Sequence, residues 1–184
     1  QSQAYGLAKI HKDGIPMRPV GSFISAPIYH LAKRVDHWVK TFINHLSCHA
    51  VKTSANLVLK IKDITPPADI TLISLDATGL FPNLPLAPTL GHVEDRLKEV
   101  HTLDFIIDEL MTVLKVCLQP NFCNFNDEVY TLPDDIGVSM GSPLGFTLGK
   151  IFISLLEVIL FNSYPFLTGH IVYWYRYMDD VLCL

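Results

Sequence analysis

The sequence lacks several patterns that would assign it to a class at once. No internal repeat, low-complexity tract or amino-terminal targeting segment is visible. The eight histidines are scattered, without the partner set that a zinc site needs. The four cysteines contain no CxxC pair, which indicates buried or free thiols in a reducing compartment: Cys48, Cys117, Cys123 and Cys183. We therefore expect an intracellular protein of the nucleus or cytoplasm.

The chain does have ample apolar surface to bury, since 49% of its 184 residues are hydrophobic, and this excludes a disordered protein. Residues 136–161 are apolar enough to suggest a membrane span. Pro143, Lys150 and Glu157 interrupt them, and charge within a span is costly, so a buried helix and no membrane partner are expected. Because the chain starts without Met and ends within an apolar strand, we expect a fragment.

Charge is unevenly distributed. Residues 1–60 carry a net charge of +6 and residues 61–184 a net charge of −10, although the whole chain carries −4. A basic front and an acidic rear suit an enzyme that binds phosphates with one part and cations with the other. Chance drift in surface charge is the alternative.

The elements follow no regular βαβ order, so the predicted class is α+β. We predict a hairpin with strands 6–10 and 17–20 around Asp13-Gly14, a buried strand over 71–76, and hairpins over 121–132 and 170–184. Helices are predicted over residues 25–46, 54–63, 86–97, 103–118 and 143–161. The first of these has apolar residues at helical spacing: Ile28, Leu31, Val35, Trp38, Phe42 and Leu46.

Three separated segments carry the chemistry. Asp76 ends an apolar strand, MGSPLG occupies residues 140–145, and Asp179-Asp180 interrupt the apolar run YWYRYMDDVLCL. An Asp pair is also common at the tip of a hairpin, which is the plain explanation. A carboxylate on a buried strand is costly unless a metal or hydrogen bonds compensate it, and magnesium prefers such hard oxygen ligands. Together the segments predict metal-dependent nucleotidyl transfer.

The sequence resembles reverse transcriptases, most closely those of Penelope-like retrotransposons, over almost its whole length. The similar segments are YGLAKIHK (5–12), MRPVGSFISAPIYHLAK (17–33), ISLDATGLFPNLP (73–85), GVSMGSPLGFTLGKIF (137–152) and RYMDDVLCL (176–184). The resemblance implies a fragment of an RNA-directed DNA polymerase, a nucleotidyltransferase with a right-hand palm of antiparallel sheet backed by helices. Partial fingers would cover 1–65 and an incomplete palm 66–184, with the nucleotide-site motif at 137–150, the YMDD hairpin at 170–184 and no thumb.

By the same resemblance, Asp76 and Asp179 would ligate two Mg²⁺ ions, with Mn²⁺ as a substitute. The backbone carbonyl of Ala77 would help. Asp180, in the same acidic tip, would be a third catalytic and metal-binding carboxylate with a more supportive part. The implied partners are an RNA template, a DNA primer and a deoxynucleoside triphosphate, and the oligomeric state is left open.

Further roles are implied for residues around the nucleotide. Arg18 would lie over the triphosphate, where a guanidinium can bind in bidentate fashion. Phe81 would block a ribose 2′-hydroxyl, although a core aromatic is the alternative. The remaining candidates contact nucleotide, template, primer or phosphate: Met140, Gly141, Met178, Lys9 and Lys12. For the two lysines, a solvated hairpin face is the alternative.

The sequence departs from the family pattern at several positions. Ala8 replaces a common Pro, Pro82 replaces a common Thr, LGFT follows the Gly-Ser-Pro, and no Gln stands near Leu132. Three other functions remain open: an RNA-dependent RNA polymerase, a catalytically inactive nucleic-acid-binding module, and a metal-dependent phosphohydrolase. The isolated chain is expected to be poorly stable and weakly active, because apolar palm surface would stay open.

Overall fold

The computed structural model describes residues 3–10, 13–24, 26–42, 49–100, 103–119, 122–131, 133 and 135–184, without the side chains at positions 3, 19 and 123. This part of the chain is a mixed structure of two small sheets and six helices, which confirms the predicted α+β class. The described strands are β1 (Gln3–Ala8), β2 (Met17–Ser22), β3 (Ile73–Asp76), β4 (Phe122–Phe125), β5 (Glu128–Thr131), β6 (Trp174–Tyr177) and β7 (Asp180–Cys183). The described helices are α1 (Tyr29–Phe42), α2 (Ser54–Ile61), α3 (Leu86–Glu99), α4 (Asp104–Leu118), α5 (Gly145–Ser163) and α6 (Pro165–Thr168).

The chain divides into two compact units that interleave in sequence. The first unit comprises residues 1–44 and 81–148, and the second comprises residues 45–80 and 149–184. The predicted fingers (1–65) and palm (66–184) follow a different division, and their boundary stays a prediction.

The first unit contains a four-stranded sheet of order β2-β1-β4-β5. Strands β1 and β2 form the predicted antiparallel hairpin, with Ala8 opposite Met17, and Gly14 in its loop has a φ of 74°. Strands β4 and β5 form a second hairpin around Asn126 and Asp127. A single parallel pairing, Gln3 with Asn124, joins the two hairpins.

Helices α1, α3 and α4 supply much of the buried apolar surface of the first unit. The predicted apolar face of α1 is partly wrong, because Leu31 and Trp38 are exposed. The helix instead buries Ala32, Val35, Asp36 and Val39. A buried carboxylate needs polar partners, and Asp36 has two: the Thr147 hydroxyl donates to it, and the Lys40 ammonium lies 2.5 Å away.

The second unit contains a three-stranded antiparallel sheet of order β3-β7-β6. The prediction that residues 71–76 form a buried strand is wrong in its burial: β3 forms, but all four of its residues are exposed. The reason is its position, because in the described part of the chain β3 pairs only with β7 and therefore lies at the sheet edge. The opposite edge, β6, is covered by residues around Ala50, which bridges to Arg176.

Helix α5 is, within the described ranges, the one helix long and apolar enough to cross a membrane by length and composition, a criterion that core helices meet as well. About 33% of its most apolar window is buried. Ile151, Ile153 and Ser154 are buried, whereas Leu156 and Ile159 are exposed. Glu157, near the middle of the helix, is buried and paired with an arginine, as described below.

Candidate functional site

The three aspartates singled out in the sequence come together in the second unit. Asp76 is the last residue of β3, Asp180 is the first residue of β7, and the two are direct cross-strand partners. Asp179 precedes Asp180 in the turn between β6 and β7. Three carboxylates, one of them a hundred residues away in sequence, therefore lie at one end of a small sheet.

The β6–β7 turn has two residues, Met178 and Asp179, because Tyr177 pairs with Asp180. The φ of Met178 is 61°, in the left-handed region, and Asp179 is not among the described residues with positive φ. A positive φ at the first central position alone is the pattern of a type II′ turn, which favours glycine there. The hairpin expected from the sequence is present, with a strained residue directly before the Asp pair.

A cavity of about 430 Å³ opens at the same end of the sheet, against α5. Asp76, Ala77 and Asp179 all line it, and these are three of the four residues for which the resemblance implies metal contacts. The fourth, Asp180, is not among its lining residues. Most of the remaining lining is apolar and includes Leu156 and Ile159 of α5. Where they border the cavity, Asp76 is exposed and Asp179 is half-buried.

The site carries an excess of negative charge. Asp76 and Asp180 are opposed across two strands, an arrangement in which like charges are destabilising. Partial desolvation, followed by the negative charges of Asp179 and Asp76, raises the pKa of the Asp180 carboxyl above its ordinary value. A cation bound among these groups would remove that repulsion.

The donor chemistry fits magnesium, which is held in proteins by one or two carboxylates together with water and substrate phosphates. Asp76, Asp179 and the Ala77 carbonyl supply the hard oxygen atoms that this requires. No three His, Cys, Asp or Glu side chains in the described residues are grouped as a ready cage for a metal ion. Water and the phosphate oxygens of a substrate would therefore have to complete the coordination.

The basic candidates lie in the first unit, on the β1–β2 hairpin. Arg18 is exposed on β2 opposite Leu7. Lys9 follows β1, and its backbone N–H donates to the carbonyl of Pro16 at 3.0 Å, which extends the ladder by one step. Lys12 lies outside the described residues. Arg18 is thus exposed and Lys9 half-buried on the same hairpin.

The other candidates of the first unit are partly buried: Phe81, Met140 and Gly141. Phe81 is half-buried, and its carbonyl accepts a hydrogen bond from the Val138 N–H at 2.8 Å. A Cβ atom added to Gly141 would lie 1.6 Å from the carbonyl oxygen of Gly21, so close backbone packing explains this glycine without a ligand. Met140 is half-buried beside it.

The structure thus assigns Asp76, Ala77, Met178, Asp179 and Asp180 to the second unit. The candidates of the first unit are Arg18, Lys9, Phe81, Met140 and Gly141. A further cavity, of about 810 Å³, lies between α3 and α4 in the first unit. None of the candidate site residues lines it.

Two residues at the site were missed in the sequence: Arg176 in β6 and Glu157 in α5, which form a buried ion pair. Both stand among apolar residues and carry opposite charges, but Lys150 and the Asp179-Asp180 pair are charged residues of the same two segments. The sequence therefore did not single out Arg176 and Glu157 as partners.

Comparison with known proteins assigns no family: no protein-family model matches the chain, and no curated protein matches it significantly.

Proposed function

We propose that this chain carries the catalytic carboxylates of an RNA-directed DNA polymerase similar to the reverse transcriptases of Penelope-like retroelements. One observation carries the proposal: Asp76 and Asp180 are cross-strand partners, and Asp179 occupies the adjoining turn. Three carboxylates in this arrangement repel one another and favour divalent cations.

Each carboxylate has a distinct part in the proposed reaction, which joins a deoxynucleotide to a primer 3′-oxygen and releases pyrophosphate. Asp76, Asp179 and the Ala77 carbonyl hold the divalent ions at the cavity that they line. The ions, when bound, stabilise charge on the attacking and leaving oxygens of the displacement. Asp180 adds negative potential that favours occupancy of the site.

The first unit is proposed to bind the other reactants. Arg18 and Lys9 bind triphosphate or template phosphates, which predicts that binding weakens as salt concentration rises. Phe81 excludes a ribose 2′-hydroxyl, while Met140 and Gly141 lie beneath the nucleotide. The partners are an RNA template, a DNA primer and a deoxynucleoside triphosphate, inside the nucleus or cytoplasm.

Binding of Mn²⁺, followed by electron paramagnetic resonance, tests the metal site directly. Asp76→Asn and Asp179→Asn should each weaken Mn²⁺ binding at least about tenfold, because each removes a charged ligand. Asp69→Asn is the matched control, since Asp69 is an exposed aspartate of the same unit outside the site. If Asp76→Asn and Asp179→Asn bind Mn²⁺ as tightly as wild type and Asp69→Asn do, the proposed metal ligands are contradicted.

Primer extension tests the reaction, using this chain and any longer natural protein that contains it. Loss of either ligand should lower the rate about 10²–10³-fold, because metal ions supply several kcal/mol of charge stabilisation. Asp69→Asn should extend the primer at the wild-type rate. Metal binding without extension in any such protein would favour the non-catalytic binding module, and ester hydrolysis without extension would favour a phosphohydrolase.

Sugar selectivity separates a DNA polymerase from an RNA polymerase. Phe81→Ala should raise incorporation of ribonucleotides, because the ring no longer occupies the space of the 2′-hydroxyl. Phe81→Tyr keeps the ring and should keep the selectivity. If wild type already prefers ribonucleotides, the RNA-polymerase alternative is the better description.

A further inference from the structure

The guanidinium of Arg176 lies inside the second unit, with only 1% of the residue exposed. It donates from Nε to Glu157 Oε1 at 2.7 Å and from Nη2 to Glu157 Oε2 at 3.2 Å. Nη2 also donates to the Ser154 hydroxyl at 3.0 Å, and Nη1 donates to the backbone carbonyl of Met178 at 3.1 Å. The guanidinium therefore connects helix α5 to the turn that holds the Asp pair.

The backbone of Arg176 is held by two hydrogen bonds to the segment 49–51. The Arg176 N–H donates to the carbonyl of His49 at 2.9 Å, and the Val51 N–H donates to the Arg176 carbonyl at 2.8 Å. Its main partner is also held, because the Trp174 indole N–H donates to Glu157 Oε1 at 3.0 Å. A rigid donor on a rigid strand can define the position of the atom that it binds.

A buried ion pair is a poor choice if stability alone is required. Apolar residues of similar volume are often as stabilising as a buried pair, because both charges must be removed from water. The pair Arg176–Glu157 therefore calls for a second role. Its contact with Met178 is the one that reaches the candidate site.

The carbonyl of Met178 is a sensitive point in the turn. This carbonyl and the Asp179 N–H belong to one planar peptide unit. A hydrogen bond that fixes the oxygen therefore also fixes the orientation of the peptide plane that leads to Asp179. Met178 has a φ of 61°, a conformation that a residue other than glycine or asparagine adopts reluctantly. The position of the carbonyl oxygen depends on φ and ψ of Met178 together, so the hydrogen bond from Arg176 holds the two angles as a pair.

We propose that Arg176, anchored by Glu157, is a positioning residue that holds the Met178–Asp179 peptide so that Asp179 faces the Asp76 side of the cavity. The purpose of this positioning rests on the proposed function, whereas the support of the turn itself does not. The two parts are therefore measured separately.

A charge-neutral double variant tests the proposal without leaving a buried charge unpaired. In Arg176→Met with Glu157→Gln, the glutamine oxygen can still accept from Trp174, but the Met178 carbonyl loses the guanidinium that donates to it. Ser154→Ala is the matched control, because it removes a different partner of the same guanidinium and leaves the turn untouched. Arg176→Lys, which keeps the charge opposite Glu157 but lacks the planar fork, is the second variant if the double variant does not fold.

Two readouts are needed, each compared with thermal unfolding. The ¹³C chemical shifts of Met178, which report its backbone angles φ and ψ, should move in the double variant toward those of a residue with negative φ and stay unchanged in Ser154→Ala. The dissociation constant for Mn²⁺ should rise about 10–100-fold in the double variant, as for other residues that orient metal ligands. Arg176→Lys should change both readouts in the same direction.

Unchanged Met178 shifts in a folded double variant or in folded Arg176→Lys would overturn the proposal. An equal loss of Mn²⁺ affinity in Ser154→Ala would also overturn it, because the effect would then not pass through the turn. If wild type binds no Mn²⁺, the proposed function fails, and the Met178 shifts alone decide whether Arg176 supports the turn.

Discussion

Two hairpins of this molecule reverse the chain in two residues. They differ in whether the turn residues themselves favour the backbone angles that the turn requires. Between β4 and β5, Asn126 and Asp127 have φ values of 54° and 63°. Asn and Asp tolerate this left-handed region, so the turn agrees with its own sequence. Between β6 and β7, Met178 has a φ of 61°, although Met has no such tolerance. A turn that contradicts local preference needs support from elsewhere.

The surroundings of the two turns differ accordingly. Beside the first turn, the Tyr130 hydroxyl donates to Glu128 at 2.9 Å, and both residues are exposed. Beside the second turn, Arg176 and Glu157 form a buried network that reaches the Met178 carbonyl. Local violations of this kind occur at functional sites, where surrounding structure compensates them. Under the proposed function, the Met178–Asp179 turn holds a metal ligand, whereas the Asn126–Asp127 turn needs no role beyond reversal of the chain.

The largest expected effect comes from Arg176→Met alone. Glu157 would then be buried without its counter-charge, so the free energy of unfolding should fall by about 3–5 kcal/mol. Tyr130→Phe, which removes the exposed hydrogen bond beside the other turn, should change it by less than about 0.5 kcal/mol. Urea unfolding measures both variants. Similar losses in the two hairpins would remove the distinction drawn between them.

The next effect comes from placing a branched side chain in the locally encoded turn. Asn126→Val should lower the free energy of unfolding by about 1–2 kcal/mol, because a β-branched residue is strained at positive φ. Asn126→Gly should stay within a few tenths of wild type. If Asn126→Val leaves the free energy of unfolding unchanged, the tolerance of residue 126 for positive φ does not stabilise this turn.

A smaller, pH-dependent effect is expected at the carboxylate site in metal-free buffer. The pKa of Asp180 is raised in the folded chain, so ionisation of this carboxyl lowers the free energy of unfolding. The loss is complete when the pH is above the folded pKa, and there is none when the pH is below the ordinary value of 3.8. Asp180→Asn removes that cost, so the variant should gain on wild type as pH rises. Solvent screening of this exposed group keeps the gain below about 1 kcal/mol.

Thermal unfolding between pH 3 and pH 7 measures this gain, with Asp127→Asn as a control in the other hairpin. A difference between Asp180→Asn and wild type that stays constant with pH would contradict the repulsion inferred at the site. Added Mg²⁺ should reverse the order of stability, because wild type keeps all three carboxylates.

The smallest effect tests the strain at Met178. Met178→Gly relieves about 1–2 kcal/mol of left-handed strain and costs about 0.5–1 kcal/mol of unfolded-state freedom, so a net gain of about 0.5 kcal/mol is expected. Met178→Ala keeps the Cβ atom and should show no gain. A loss on introducing glycine would mean that the methionine side chain stabilises the turn more than its backbone strains it.

Much of the secondary structure could be predicted from the sequence, and the failures have physical causes. The α4 helix and the Asn126–Asp127 hairpin formed close to the expected residues, because periodicity and turn preference act over a few residues. The burial of β3 was predicted wrongly, since its apolar residues indicate a strand but not its place at a sheet edge. Leu31 and Trp38 of α1 are exposed for the same reason: their apolar spacing indicates a helix but not which of its residues are covered.

The candidate site was foreseen in its parts. Each aspartate was identified in the sequence from its apolar surroundings, and so was the chemistry of hard oxygen ligands. Arg176 and Glu157 were not connected, because they lie nineteen residues apart on different elements and meet only through packing.

The sequence by itself determined which elements form, where the Asn126–Asp127 turn lies, and which residues can offer oxygen ligands to a cation. These properties depend on covalent geometry and on neighbours within a turn or two. Tertiary structure alone decided that Asp76 lies opposite Asp180, that β3 is an edge, and that a buried guanidinium holds the Met178 carbonyl. Strand register and ion pairing are decided by the packing of distant segments, since burial makes only one arrangement of charge and surface stable.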